Sequence, residues 1–131
     1  MTVGVLPKVV GKRNAAVQAK IPCTVREGFH VNSDKPAEDY LIPLKITWTQ
    51  TGALQPQPAT FPAPQFQKYE FSQKPLSVFT GAFDVTANFK VAANAPAGQG
   101  IATGRLSYQA CNNTACFAPK SIQISIPYRI E

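Results

Sequence analysis

Two cysteines near the C-terminal end, Cys111 and Cys116, are the residues best suited to carry out chemistry. They are separated by Asn-Asn-Thr-Ala and lie between two segments with strand-like patterns, GRLSYQA and SIQISIPYRI. The pair therefore brackets a turn at the tip of a predicted hairpin, where asparagines are favoured. A chain reversal of this length can bring the two Cα atoms to the separation of about 5.5 Å that a disulfide needs.

Three kinds of chemistry fit this pair. A permanent disulfide would stabilise the fold by roughly 2 kcal/mol, because closing so short a loop removes little entropy. A redox pair that opens and closes suits a hairpin tip, since other thiols can reach it. A zinc site would need Cys23 and His30 as further ligands. Zinc is the weakest of the three, because the chain has no Cys-x-x-Cys motif, and we expect neither a metal nor a cofactor.

Two other residues bear on this site. Cys23 shares the alternation of Ile21 and Val25, so it is expected to be a small side chain in the core. His30, in the segment REGFHVNS, is the only histidine. A lone histidine is more often a packing or surface residue, but it can also act as a local base or as a charge that lowers the pKa of a thiol.

Alternation of apolar and polar residues predicts the elements that hold the cysteines. Strict alternation places one face of each segment in a core, and no segment shows the spacing of an amphipathic helix. Strands without crossover helices pair antiparallel and must cover each other, so we predict an all-β, immunoglobulin-like antiparallel β-sandwich. The alternating segments are 17–25, 42–48, 83–91, 102–110 and 122–130.

Prolines mark the breaks in this pattern. The segment QPQPATFPAPQ, residues 55–65, has four prolines and is predicted to be an extended surface loop. Pro22, Pro43 and Pro127 fall within strand patterns and are expected at edges or bulges. Residues 66–80 are rich in aromatic side chains, which predicts a small separate core or a lid. Residues 1–13 are expected to form a loose N-terminal arm.

Composition limits the possible functions. The chain has 131 residues, which fits a single domain over residues 1–131. Its net charge of +6 comes from basic residues scattered along the sequence, so we expect a solvated surface and no nucleic-acid partner. No segment approaches the roughly 20 apolar residues of a membrane span, and no signal peptide is visible. The chain is therefore expected to be cytosolic, or else a piece of a longer exported protein.

Three stretches resemble the N-terminal periplasmic domain of the thiol:disulfide interchange protein DsbD, the disulfide bond corrector family. They are REGFHVNSDKP, LIPLKITW with the proline-rich segment that follows, and SYQACNNTACFAP, which is the most specific. The stretches themselves lie within residues 26–119, and the resemblance as a whole extends over residues 17 to 130. The resemblance implies an immunoglobulin-like fold and a periplasmic location. It also implies that the domain is cut from a longer, membrane-attached protein. The domain would then be linked to the membrane only through a fused transmembrane part.

The resemblance also implies an activity, thiol:disulfide interchange of the protein-disulfide reductase type. Such a domain takes electrons from a thioredoxin-like donor and passes them to oxidised periplasmic partners, such as a disulfide isomerase or other thioredoxin-fold acceptors. Cys116 would form the mixed disulfide and Cys111 would resolve it. The alternative is a non-catalytic β-sandwich binding domain with a structural disulfide.

The family has a cap loop whose aromatic residue shields the cysteines. In this chain KYEFSQKPLS occupies that place, with Phe71 as the shield and Tyr69 and Glu70 beside it. Three more residues are expected near the pair: His30, Asn32 and Tyr108. The chain departs from the best-known member, which has an acidic pair before its phenylalanine and tyrosines in place of His30 and Asn32, so acid–base roles do not carry over.

Overall fold

The computed structural model describes residues 1–131 as twelve strands with no helix. No helix is therefore present that could cross a membrane. The strands, in chain order, are β1 (Thr2–Val3), β2 (Val9–Gly11), β3 (Ala16–Thr24), β4 (His30–Asn32), β5 (Lys45–Gln50), β6 (Leu54–Thr60), β7 (Gln65–Gln67), β8 (Leu76–Phe79), β9 (Ala82–Val91), β10 (Gly98–Tyr108), β11 (Ala110–Cys111) and β12 (Lys120–Ile130).

Two four-stranded sheets form the body of the molecule. One has the order β1-β3-β9-β6 and the other the order β2-β12-β10-β5. Their long strands alternate buried and exposed residues, as in β3 and β12, so each sheet is apolar on one face. The two apolar faces share one core of 21 buried residues, which includes Phe89, Leu106 and Ile124. The predicted all-β, immunoglobulin-like sandwich is confirmed.

A third, smaller sheet was not anticipated from the sequence. Its order is β11-β4-β8-β7, and its strands have two to four residues each. Strands this short are hard to detect by alternation, and β4 and β8 are buried along their whole length. This sheet carries the cysteine turn, so its position decides the geometry of the site.

The prediction that residues 55–65 form a surface loop is wrong. Most of it is strand β6, which pairs with β9 at the edge of its sheet. An edge strand tolerates prolines, because one side of it has no ladder to complete. The register shifts between Gln57 and Thr60, and there the side chain of Asn88 donates hydrogen bonds to Pro58 O and Thr60 Oγ1.

The first thirteen residues also differ from the expected loose arm. β1 pairs with the end of β3, while β2 runs parallel to the end of β12. Val3, Leu6 and Val9 pack against the core, which explains why the segment is held. The β2–β12 pair is the exception to the expected antiparallel pairing.

The prolines within strands lie just outside the part of the strand that pairs with a short neighbour. Pro22 precedes Cys23, the first residue of β3 that pairs with β1, and Pro127 precedes Tyr128, the first residue of β12 that pairs with β2. Pro43 lies outside the strands, before β5. Ile42, expected to face inward, is 38% exposed for the same reason.

Candidate functional site

The cysteine turn is an excursion between the two longest strands of the sandwich. β10 and β12 form a hairpin whose last pair is Tyr108 with Lys120. The connecting chain leaves this sheet, and its residues Ala110 and Cys111 pair instead with Val31 and His30 of β4. The sequence-predicted hairpin tip is therefore longer than expected and belongs partly to the small sheet.

Cys111 and Cys116 form a disulfide, with Cα atoms 4.0 Å apart. Asn112 organises the turn between them, because its Oδ1 accepts hydrogen bonds from the backbone N–H of Thr114 and of Ala115. Its own N–H donates to Ala115 O. This is the turn role expected for an asparagine.

The two sulfur-bearing residues have unequal access to solvent. Cys111 is completely buried, whereas Cys116 is partly exposed. Cys23 lies elsewhere, as a free thiol buried in the main core, which confirms its predicted place. Burial, with a smaller contribution from Asp84, raises the pKa of Cys23 to about 11, so this thiol stays protonated. No group of three or more His, Cys, Asp and Glu side chains is placed to hold a metal ion.

The segment between β7 and β8 lies against the cysteine turn. Tyr69 and Phe71 pack, together with Cys116, against a small cluster of buried residues, Leu41, Leu76 and Val78. The N–H of Glu70 donates a hydrogen bond of 3.1 Å to Asn113 O, in the middle of the cysteine turn. The segment is folded tightly, since Ser72 hydrogen-bonds to both the N–H and the carbonyl of Tyr69. We call residues 68–75 the cap segment.

Three aromatic rings, one from β4 and two from the cap segment, stack on one another. The imidazole of His30 lies parallel to the Tyr69 ring, with centroids 3.9 Å apart. Tyr69 in turn stacks on Phe71 with centroids 5.8 Å apart. Burial raises the pKa of the Tyr69 hydroxyl, which donates to Gln67 Oε1. The stack connects β4 to the cap segment.

His30 is almost completely buried, at 1% exposed. Its Nε2 has no hydrogen-bond partner. Burial lowers the pKa of His30 to about 4, because the charged imidazolium loses more on leaving water than the neutral ring. His30 is therefore neutral at pH 7 and does not supply the positive charge that would lower the pKa of a neighbouring thiol.

The other expected neighbours lie on different sides of the turn. Asn32 is buried in β4, and its amide donates to Ile42 O and to Gln109 Oε1. Tyr108 belongs to the main core rather than to the cap. It lines a cleft with Phe29 and the exposed Phe117, which follows Cys116.

Gln109 is a site residue that the sequence reasoning missed. Its Oε1 accepts from Asn32 and from the N–H of Ile42, and its Nε2 donates to Phe117 O. It thus joins β4, the chain before β5 and the chain after Cys116. Its position two residues before Cys111, in the YQ-x-C segment, is the feature of the sequence that could have identified it.

Fold and site together define a class: an all-β domain that holds a partly exposed disulfide against an aromatic cap segment. The family model of the N-terminal domain of thiol:disulfide interchange protein DsbD matches residues 6–127. The chain therefore belongs to this family, as the sequence resemblance indicated. No curated protein sequence matches the chain.

Solved structures share the fold at low sequence identity. The N-terminal periplasmic domain of ScsB from Proteus mirabilis aligns with a TM-score of 0.63 and 12% identity over 90% of this chain, which spans only 43% of that chain. The reduced DsbD N-terminal domain of Neisseria meningitidis aligns with a TM-score of 0.51 and 15% identity, over 95% of this chain and 85% of that one. A type I cohesin of Pseudobacteroides cellulosolvens reaches the same TM-score, at 14% identity over 98% of this chain and 90% of that one.

The buried, neutral His30 makes stability depend on pH. Its pKa is lower in the folded state than the unfolded value of 6.5, so the unfolded chain takes up the proton first as the pH falls. Folded stability is therefore lost between about pH 6.5 and pH 4, by on the order of 3 kcal/mol. Urea unfolding of the oxidised protein across this range measures the loss.

The matched control is His30→Phe, which keeps a ring in the stack but cannot be protonated. All other residues are the same in both proteins, so the difference between the two stability curves isolates His30. Curves that stay parallel from pH 6.5 to pH 4 would show that His30 is not held neutral by the fold.

Proposed function

We propose that this domain carries out thiol–disulfide exchange through Cys111 and Cys116, as one domain of a longer periplasmic enzyme. Membership of the DsbD N-terminal family and the presence of the disulfide support an exchange role. The relay itself is part of the proposal: electrons arrive from a thioredoxin-like donor and pass to oxidised periplasmic partners of thioredoxin fold. The observation that carries it is the unequal access to a disulfide held against a cap.

Unequal burial supports distinct roles for the two cysteines. Exchange begins with a thiolate that approaches one sulfur in line with the S–S bond. Cys116 is partly exposed and Cys111 is fully buried, so an incoming protein thiolate reaches Cys116 first. Cys116 is then the residue that joins the partner, and Cys111 is the leaving and resolving thiol.

The reducing direction is balanced in two steps. The donor thiolate attacks Sγ of Cys116, the bond between the two cysteines breaks, and Cys111 leaves with the electron pair. The donor's second thiolate then attacks the donor sulfur of the mixed disulfide and releases Cys116 as a thiolate. Two electrons have passed to the domain, and both cysteines end as thiols after taking up protons. Reduction of an acceptor runs through the same states in reverse.

The cap segment is proposed to control access to Cys116. Tyr69 and Phe71 pack against the same cluster as Cys116, and Glu70 is hydrogen-bonded to the cysteine turn. A partner that reached Cys116 would have to displace these contacts. Phe71 is proposed as the shield, Tyr69 as its support against His30, and Glu70 as the backbone link to the turn.

A non-catalytic domain with a structural disulfide is the competing function. The likeness to a cohesin shows the fold alone, so the sandwich by itself does not decide between the two. The cap contacts around Cys116 favour exchange, because a permanent staple has no need of a displaceable cover.

Single-cysteine variants test the assigned roles. With oxidised glutathione as the probe, Cys111→Ala is expected to accumulate a mixed disulfide at Cys116, since no resolving thiol remains. In a Cys23→Ala background, Cys116→Ala leaves only the buried Cys111, which should react at least about tenfold more slowly because access limits exchange. Intact-mass spectrometry follows both. Equal rates, or faster modification of Cys111, would contradict the assignment.

Removing the shield should speed reduction of the bridge by a small thiol. Phe71→Ala deletes a stacked ring worth about 1 kcal/mol, so reduction by dithiothreitol should accelerate about fivefold. Phe66→Ala is the matched control. Phe66 lies on β7, the strand of the small sheet that precedes the cap segment, and its side chain is 68% exposed. If both variants and the wild type were reduced at one rate, the cap would not be a shield.

A further inference from the structure

His30 is placed directly beside the buried cysteine of the pair. In the antiparallel pairing of β4 with β11, the register partner of His30 is Cys111. Side chains of directly opposed residues lie on the same face of a sheet, with Cβ atoms about 5 Å apart. Both residues are closed off from water, at 1% and 0% exposed.

The imidazole has an unused polar atom at this position. Nε2 of His30 has no hydrogen-bond partner, and an unpaired buried polar atom costs roughly 1–3 kcal/mol. Such an atom in a folded protein calls for an explanation, and a catalytic role is one of the usual ones. With the bridge closed, Cys111 has no proton to donate to it.

Few titratable or charged groups face His30. Cys111 lies opposite on β11 and Tyr69 stacks on the ring from the cap segment. Arg26 and Glu27, in the turn before β4, line the same cleft as His30. Strand β8, on the other side of β4, contains no titratable residue. Cys111 is the one of these groups whose protonation must change during exchange.

Formation of the disulfide requires a base that removes the proton of Cys111. When the reduced domain has formed a mixed disulfide through Cys116, Cys111 must lose its proton before it can attack. A thiol in buried surroundings is harder to ionise than an exposed one, and solvent has little access to Cys111. A base supplied by the protein would therefore speed this step.

We propose that Nε2 of His30 is the general base that takes the proton of Cys111 when the domain closes its disulfide. This inference rests on the exchange function proposed above. The proton moves from Cys111 Sγ to Nε2, and the resulting thiolate attacks Sγ of Cys116. The bond from Cys116 to the partner breaks, and the partner sulfur leaves with the electron pair. The imidazolium then returns its proton to that thiolate or to solvent.

Burial lowers the pKa of His30 to about 4, so the ring is neutral at pH 7 and Nε2 is free to accept a proton. The same low pKa makes the ring a weak base. The proton transfer is therefore coupled to the attack of Cys111 on Cys116, and the ring does not keep the proton afterwards.

Two-phase reaction with 5,5′-dithiobis(2-nitrobenzoate) tests the proposal on the reduced full chain, in a Cys23→Ala background. Attack by Cys116 releases the first nitrothiobenzoate, and closure by Cys111 releases the second in a phase independent of reagent concentration. General base catalysis predicts a second phase that is nearly constant from about pH 5 to pH 8 in the wild type. In His30→Gln it should be on the order of 10²-fold slower at pH 7 and rise about tenfold per pH unit.

Two controls frame this comparison. Phe66→Ala removes an exposed ring on β7 outside the site and should leave the second phase unchanged, while Cys111→Ala should abolish it. A His30→Gln second phase equal to the wild type, or slowed by one factor at every pH, would overturn the proposal and leave the exchange function standing. A wild type that never releases the second equivalent would overturn both.

The wild-type pH profile decides the matter even if His30→Gln does not fold. A plateau across neutral pH supports a protein base. A second phase that rises in proportion to hydroxide from pH 5 upward means that solvent removes the proton and that His30 is not the base.

Discussion

The site depends on the two-residue pairing of β11 with β4. This pairing takes the chain between β10 and β12 out of the sandwich and fixes Cys111 opposite His30. In this arrangement Cys111 is buried and Cys116 is partly exposed. The different roles proposed for the two cysteines rest on this asymmetry. Gln109 supports the same arrangement by hydrogen-bonding to Asn32 on one side and to Phe117 on the other.

The contacts that hold the cap segment are few and individually weak, as the proposed gating of Cys116 requires. Two aromatic stacks, His30 with Tyr69 and Tyr69 with Phe71, contribute about 0.5–1.5 kcal/mol each. The hydrogen bond from Glu70 to Asn113 adds about 1 kcal/mol. For the proposed gating, a total of roughly 2–4 kcal/mol corresponds to an open population of about 3 × 10⁻² to 10⁻³, which a binding partner could shift by favouring the open state. Because His30 belongs to the stack, the proposed cap and the proposed base lie in one cluster.

The sequence was sufficient for the long strands and for the cysteine pair. Strict alternation identified β3, β9, β10 and β12, and it placed Cys23 in the core. The small sheet was not predicted, because its strands have only two to four residues and are buried throughout, as in β4 and β8, or exposed throughout, as in β7. Such strands show no alternation. Strand β6 was not predicted, because a segment so rich in proline is typical of a loop, although prolines are also compatible with an edge strand. The contacts of Tyr69 and Phe71 with the site do not follow from their spacing; only the family resemblance placed the cap, and the partner-free Nε2 of His30 required the structure.

We propose Cys111–Cys116 as an exchangeable disulfide rather than a permanent one. Its reduction potential, measured by equilibrating the purified domain against glutathione and dithiothreitol buffers, tests this most directly. An exchange pair should titrate above about −300 mV, within reach of thioredoxin-like proteins. A potential well below about −300 mV, with the bridge resistant to such donors, is the behaviour of a structural disulfide and would contradict the account.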